Sequence, residues 1–346
     1  MSVAGTSKLW GVAGERFEAG GRLPDVSWAG VGQGESALPE VDVVANVSDF
    51  GALGDGLTDD TAAFQAAIES AEELGGAVLI PAGDYLLAGQ LIIDSSGVVL
   101  RGEGAGPGGT TLHFPNSLAA LFGWIPQWSW SGGLIHVKGS GATTPLSEVA
   151  EGALRGEDTV VVAEGSSFTP GELVVLELFD DDEKSLGWHL HAEQDAPGSC
   201  DWQNQVVRRW PVRIESVEGN TLTLVQPLRT DVRLAWAPRF VRPTLIEGVG
   251  VERLRIEFPD VPPKEHLEED GYNGVFFSDG VAESWVRDVT FVNADNPISL
   301  RRLAKHMSFV GLSALGRAGH HGIDMGHCHD CYLADYAISA EMRHAV

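Results

Sequence analysis

The chain has 346 residues, 43% hydrophobic and 21% charged, a balance that supports a sizeable core and argues against general disorder. At roughly 100–200 residues per domain the length fits two compact domains or one elongated one. Lysine and arginine number 23 against 49 acids, a net charge of −26, so nucleic-acid binding is not expected, and no run approaches the roughly 20 apolar residues of a membrane-spanning helix.

Residues 1–10 lack a basic region followed by an apolar stretch, so no export signal is visible. Residues 1–45 have weak periodicity, with Trp10, Phe17 and Trp28 among glycines, and read as an extended lead-in packed on the body. From Val47 the pattern sharpens. Thr58-Asp59-Asp60 is a helix-start signal, and Phe64, Ile68, Ala71 and Leu74 recur at three- and four-residue steps, predicting a helix with one buried face. Gly75-Gly76 stops it. Short apolar strands follow at 77–80, 91–93 and 98–100, each closed by turn residues. Glycine, at 43 residues, suits many tight turns between short strands. The run from Gly102 to Gly109 lacks the lysine and the strand–helix setting of a phosphate loop and reads as a turn.

The residues Phe50-Gly51-Ala52, Gly54-Asp55-Gly56, Thr58-Asp59-Asp60-Thr61, Gly75-Gly76, Val78, Pro81, Gly83 and Tyr85 resemble the opening of the pectate-lyase superfamily. The resemblance covers about 40 residues. It implies an all-β fold, a right-handed parallel β-helix with an N-terminal capping helix over the first coils. It speaks to fold more than function, because lyases, glycosidases and phage tailspikes share it. A secreted location is also implied by the resemblance.

Residues 141–243 break the pattern. Segments 159–163, 173–178, 213–217 and 221–225 predict antiparallel strands, with Glu218-Gly219-Asn220 as a hairpin turn. Between them lies the acidic run Asp180-Asp181-Asp182-Glu183, which reads as a solvated turn, and an aromatic stretch with Trp188, His189, His191, Trp202 and Trp210. Tryptophans here are core or stack on sugar rings. The expected organisation is a lead-in (1–45), a first β-helix part (46–140), an inserted antiparallel β subdomain (141–243) and further coils (244–346).

After Val249 a repeat returns. Aligning Leu254, Val289, Met307 and Cys331 gives steps of 35, 18 and 24 residues, the first carrying an extra loop at 259–273; steps of this size suit coils that cannot bury their own apolar faces and must stack. A thin polar cap at 341–346 suggests that further coils or a second copy of the chain cover the last one.

Each coil holds an earlier strand too, at 275–279, 298–302 and 323–327. Alternation puts Val275, Ile298 and Ile323, then Phe277, Leu300 and Met325, inward. Outward ladders follow: Phe276, Ser299, Asp324, then Ser278, Arg301, Gly326. Acids, arginine and histidine thus converge on one face, the natural seat of an extended polysaccharide. For a lyase acting on a uronate polymer by β-elimination, Arg301 or Arg302 pairs with the carboxylate, His321 is the base and Asp324 orients it. His327, His320, Asn273, Asn296 and Trp188 are the candidate substrate contacts. The alternatives are a glycoside hydrolase using Asp279 and Asp324 as paired carboxylates, and a non-catalytic glycan-binding or tailspike-like protein on which the same charges form an ion-pair ladder. Only Cys200, Cys328 and Cys331 are present, which is no disulfide framework. His320, His321, His327, Cys328, His329 and Cys331 match no closed zinc spacing, so no metal ligand is assigned; calcium is a candidate only by resemblance.

Overall fold

A computed structural model describes residues 15, 16, 18, 23, 26–34, 37–193 and 207–346. Trp10, Phe17, Cys200 and Trp202 lie outside the described residues. The chain divides into two compact units, Met1–Trp28 with Ala142–Pro243, and Ala29–Gly141 with Thr244–Val346.

The second unit is a stack of parallel coils. Strands Val43–Asn46, Gly76–Ile80, Val98–Gly102, Gly250–Glu257, Trp285–Val292, Ser308–Leu315 and Tyr332–Ile338 lie side by side in that order, all parallel. A second parallel sheet runs through Leu91–Ile93, Ile135–Val137, Asn273–Phe277, Asn296–Leu300 and Asp324–Met325. A short third stack pairs Ile246–Glu247 with Val281–Ala282 and continues through single bridges at Lys305 and His329. In both main sheets a strand from before residue 141 pairs directly with one from after 244.

Alternation explains the core. Val275, Ile298 and Ile323 are buried in one column, and Phe277 and Leu300 in the next. They meet Val251, Val286, Phe309 and Leu312 from the first sheet in a single apolar cluster, and the rings of Phe277 and Phe309 lie 6.2 Å apart. Each such side chain contributes roughly 1.5–3 kcal/mol on burial. The helix Thr61–Leu74 buries Phe64, Ala67, Ile68 and Ala71 against the same cluster. Leu74, expected on that face, is 65% exposed, because it closes the last turn before Gly75. The Asp60 carboxylate turns away from the helix end and accepts from the backbone N–H groups of Leu53 and Gly54, fixing the entry loop.

The corners of the coil are marked by left-handed residues. Arg253, Asp288, Gly311 and Asp335 have φ of 57°, 54°, 69° and 53°, at steps of 35, 23 and 24 residues. Gly248, Glu283, His306 and Asp330 form a second such column with the same steps, and Gly280, Leu303 and His327 a third. These columns correct the sequence alignment. Leu254 does stand opposite Val289, and Met307 and Cys331 both directly precede partnered residues, Ser308 and Tyr332. Val289 and Met307, however, are out of step, since Trp285 pairs with Ser308 and Thr290 with Ser313. Each eight-residue strand is bent at its left-handed residue into two apolar halves, and the alignment matched the second half of one coil to the lead of the next.

The first unit contains a six-stranded antiparallel sheet in the order Thr159–Val161, Thr221–Leu224, Val207–Glu218, Leu173–Phe179, Arg239–Pro243, Thr143–Glu148. Glu218 pairs with Thr221 across a two-residue turn in which Gly219 takes φ 61°. The strand expected at 213–217 extends back to Val207. Trp210, Trp236 and Phe240 fill the core of this unit.

Candidate functional site

The rung that alternation turns away from the main core reads Ile92, His136, Phe276, Ser299, Asp324, each opposite the next; the ladder expected to face solvent is only partly open, because Phe276 and Ser299 are buried. Arg301 lies two residues beyond Ser299 and therefore on the same face. Its Nη1 donates to Asp324 Oδ2 at 2.9 Å and to the Leu300 carbonyl at 2.7 Å, and its guanidinium stands 5.7 Å from the Phe276 ring centre. Nη2 is buried without a hydrogen-bond partner. The two side chains of the pair are each 18% exposed, so this is neither a fully solvated ion pair nor a sealed one.

His321 sits on the strand Gly319–His321, just before Asp324. Its Nδ1 meets Asn296 Oδ1 at 3.1 Å. The Asn296 Nδ2 is committed to Asn273 Oδ1 and the Ser129 carbonyl, which identifies Oδ1 as the acceptor facing the ring. Nδ1 therefore carries the proton and Nε2 keeps a lone pair. Burial lowers the His321 pKa to about 4, helped by His320; Asp324 opposes the shift, while His344 and Arg301 add to it. The imidazole is thus neutral near pH 7, a base rather than a cation. Asp324 and Arg301 both act electrostatically on His321, which lies on the strand paired with Met342–His344 rather than on the second sheet itself; these are three of the four expected catalytic residues.

The fourth does not join them. Asp279 lies beyond the end of its strand and receives Arg302 through Nε at 3.0 Å and Nη2 at 2.6 Å. Asp324 stands two strands away from Phe276, about 9.6 Å, and Asp279 is three residues further along, about 10 Å more. On that ideal geometry the two backbones lie roughly 14 Å apart, against the ~6.5–9.5 Å between the carboxyls of an inverting pair. Arg302, 58% exposed, is held by Asp279, and His327 is exposed at the third left-handed column.

Three expected substrate contacts are turned inward. Asn273 and Asn296 are buried. Asn273 Nδ2 donates to the carbonyls of Trp128 and Ser131, and Asn296 bonds Asn273 as above. His320 is buried with Nδ1 on the Ser129 carbonyl. The loop 126–131 lies over these residues, and their side chains satisfy its carbonyls instead of a ligand. Trp188 belongs to the other unit, on the short helix Ser185–Leu190, and is 46% exposed. Cys328 and Cys331 are free thiols; contact with Cys328, then burial, pushes the Cys331 thiol up.

Calcium prefers six to eight oxygen ligands. Asp279 and Asp324 are each paired with an arginine. Asp180 accepts from the backbone N–H groups of Leu186 and Gly187, and Asp181 from Ser185. These carboxylates do not fit a calcium cage. Sequence reasoning missed His136, whose Nε2 is buried and unpartnered beside Phe276; a lone polar residue between Ile135 and Val137 was its signal.

Residues 44–116 match the family described as rhamnogalacturonase A/epimerase, pectate lyase-like. Mannuronan C5-epimerase AlgE1 of Azotobacter vinelandii is 62% identical over 45 residues, 13% of this chain and 3% of that protein. Alginate lyase 7 of the same organism is 47% identical over 72 residues, 19% of this chain and 8% of that protein. The matches thus span only a small part of these curated relatives. Among solved structures, the tailspike protein gp49 from Pseudomonas phage LKA1 superposes with a TM-score of 0.54 at 16% identity, covering 86% of this chain and 48% of that one.

Proposed function

We propose that this chain, a pectate-lyase-like parallel β-helix protein, binds a uronate-containing polysaccharide on the outward face of its second sheet and removes the proton α to a uronate carboxylate. In this reading the helix Thr61–Leu74 caps the first coil, the coils wind right-handed, and the antiparallel unit is an insertion that leaves the stack continuous. The observations that carry the proposal are the Arg301–Asp324 pair on the second sheet and a neutral His321, held by Asn296, on which both of those charges act. Arg301 Nη2 is a buried donor without a partner, which a substrate carboxylate satisfies once the guanidinium turns toward the surface. His321 Nε2 takes the C5 proton, and the electron pair left behind is delocalised into the carboxylate held by Arg301. Two outcomes share that step. Expulsion of the O4 leaving group breaks the C4–O bond and forms the C4=C5 double bond, with a proton from water delivered to the departing oxygen and the proton on His321 released to solvent afterwards. Return of a proton from water to the opposite face of C5 inverts that centre. The local matches to mannuronan C5-epimerases and to alginate lyase 7 support this chemistry ahead of hydrolysis, as does the separation of Asp279 from Asp324.

The test is incubation in deuterated water with poly-mannuronate, poly-guluronate, polygalacturonate and a neutral glucan. The expected result is either ultraviolet absorbance from an unsaturated uronate or deuterium at C5 without chain shortening, on a uronate polymer only. New reducing ends without either signal would establish a hydrolase. Binding to a uronate polymer with no exchange and no absorbance would replace the enzyme by a glycan-binding protein.

A further inference from the structure

Three histidines meet from three separate stretches of the coil unit. His266 comes from the loop between Gly250–Glu257 and Asn273–Phe277, His320 from Gly319–His321, and His344 from Met342–His344. One nitrogen of each lies within 4.8 Å of the other two. Their ring centres are 5.0 Å apart for His266 and His320, 5.2 Å for His320 and His344, and 5.8 Å for His266 and His344.

His320 is only 2% exposed. Its Nδ1 faces the Ser129 carbonyl, which can only accept, so Nδ1 carries the ring proton. Nε2 is then a bare lone pair, and it is buried with no hydrogen-bond partner. A buried acceptor left unsatisfied is costly and calls for an explanation. Metal-bound histidines share this arrangement: a backbone carbonyl on one ring nitrogen fixes the tautomer and aims the other at the ion.

We propose that His266, His320 and His344 bind one divalent transition-metal ion of the zinc class, with a fourth position open to water. All three donors are imidazole nitrogens, which suit zinc, cobalt, nickel and copper, whereas calcium takes oxygen ligands. His266 and His344 are exposed, so the ion enters from solvent and these two rings turn onto it. Bonds of about 2.0–2.1 Å in tetrahedral geometry bring the nitrogens to about 3.3 Å of one another, a modest closure. His321 stacks on His344 at 4.9 Å but stands outside the trio, so the site does not depend on its role as a base.

The experiment uses untagged full chain stripped with a chelator and titrated with Co²⁺. The expected result is one equivalent bound with the visible absorbance of low-symmetry four-coordinate cobalt, displaced by one equivalent of Zn²⁺. His266→Ala and His344→Ala, both at exposed positions, should keep the circular dichroism of the parent and weaken binding by about 100-fold or more. Zn²⁺ should raise the Tm of the parent chain and not that of the double variant, and Ca²⁺ should raise neither through this site. Equal Zn²⁺ affinity in the parent and the double variant, or cobalt bound without the visible bands, would overturn the assignment.

Discussion

Arg301 gives Nη1 to Asp324 on the next coil at 2.9 Å and leaves Nη2 buried without a partner. The pair is diagonal, because Asp324 stands opposite Ser299 rather than opposite Arg301. One amino group therefore anchors the side chain while the other has nothing to bond. An ion pair of this exposure contributes at most about 1 kcal/mol, and an unmet buried donor offsets part of that. Stability is a weak reason for an arginine here, and recognition of a flat, two-oxygen anion is a better one.

Arg301→Lys separates those reasons. Lysine keeps the charge beside Asp324 but loses the planar fork. The expected outcome is a fall in kcat/KM on the uronate polymer of about 100-fold, equivalent to about 2.7 kcal/mol of transition-state binding, with unfolding free energy within about 1 kcal/mol of the parent. Urea titration and the deuterium-exchange assay check the two halves. Equal loss of stability and activity would make Arg301 a structural residue.

Glu252 is the opposite case. It is fully buried and accepts from Arg101 Nε at 2.5 Å, Trp285 Nε1 at 2.9 Å and Arg287 Nη2 at 2.7 Å. Burial raises its pKa, but the donors Trp285, Arg101 and Arg287 outweigh it and hold the carboxyl below its ordinary value. Arg287 and Arg253 also reach Glu40, so the network ties the segment before Val43 to the outer face of the first sheet. Glu252→Gln removes the buried carboxylate that Arg101 and Arg287 share and leaves them only the exposed Glu40; it should cost about 3 kcal/mol, read as a lower urea midpoint. The sign with pH follows: the parent holds this contribution above the ordinary carboxyl range and loses it as pH falls through the depressed folded value.

The legible and the hidden parts of this molecule differ for a physical reason. The rung Phe276, Ser299, Asp324 could be read in register because Val275 and Phe277, then Ile298 and Leu300, alternate strictly, and strand period leaves one choice of face. The opening motif from Phe50 to Tyr85 was legible because its glycines and acids are local. Asn273 and Asn296 were misplaced because polar residues at strand starts read as solvent-facing, whereas a loop 142–168 residues away in sequence brings the carbonyls that bury them. His266 and His344 carried no local signal, although His344 lies opposite His321, one coil on, which the repeat alone could have exposed.

The corners were hidden for another reason. A left-handed residue was sought only as glycine, yet in the column Arg253, Asp288, Gly311, Asp335 only one is glycine. Gly311→Ala places a Cβ at φ 69° against the Asp288 side chain and should cost about 1–2 kcal/mol. Asp335→Gly, at the equivalent corner with φ 53°, removes a strained side chain at the expense of chain entropy and should stay within about 0.5 kcal/mol of the parent. Both are measured by urea unfolding, and a Gly311→Ala chain as stable as the parent would mean that the corner is not under conformational constraint.

His136 offers a test by pH. It stands on the outward rung between Ile92 and Phe276, with its ring centre 4.9 Å from that of Phe276. Burial, then the charge of Lys138, lowers its pKa to about 4 from an ordinary 6.5. Below 6.5 the unfolded chain takes up a proton that the folded chain refuses until about pH 4. The unfolded state thus binds more protons across that window, and stability falls as pH falls through it. Above 6.5 the ring is neutral in both states and the contribution is complete. The size is bounded by the shift, at most about 3.4 kcal/mol. His136→Phe keeps an aromatic ring against Phe276 and removes the titration. Urea unfolding at pH 7, 5.5 and 4.5 should therefore show the parent losing ground to the variant on acidification, by up to that amount at the lowest pH. Parallel curves for the two chains would mean that the imidazole accepts its proton as readily in the fold as out of it.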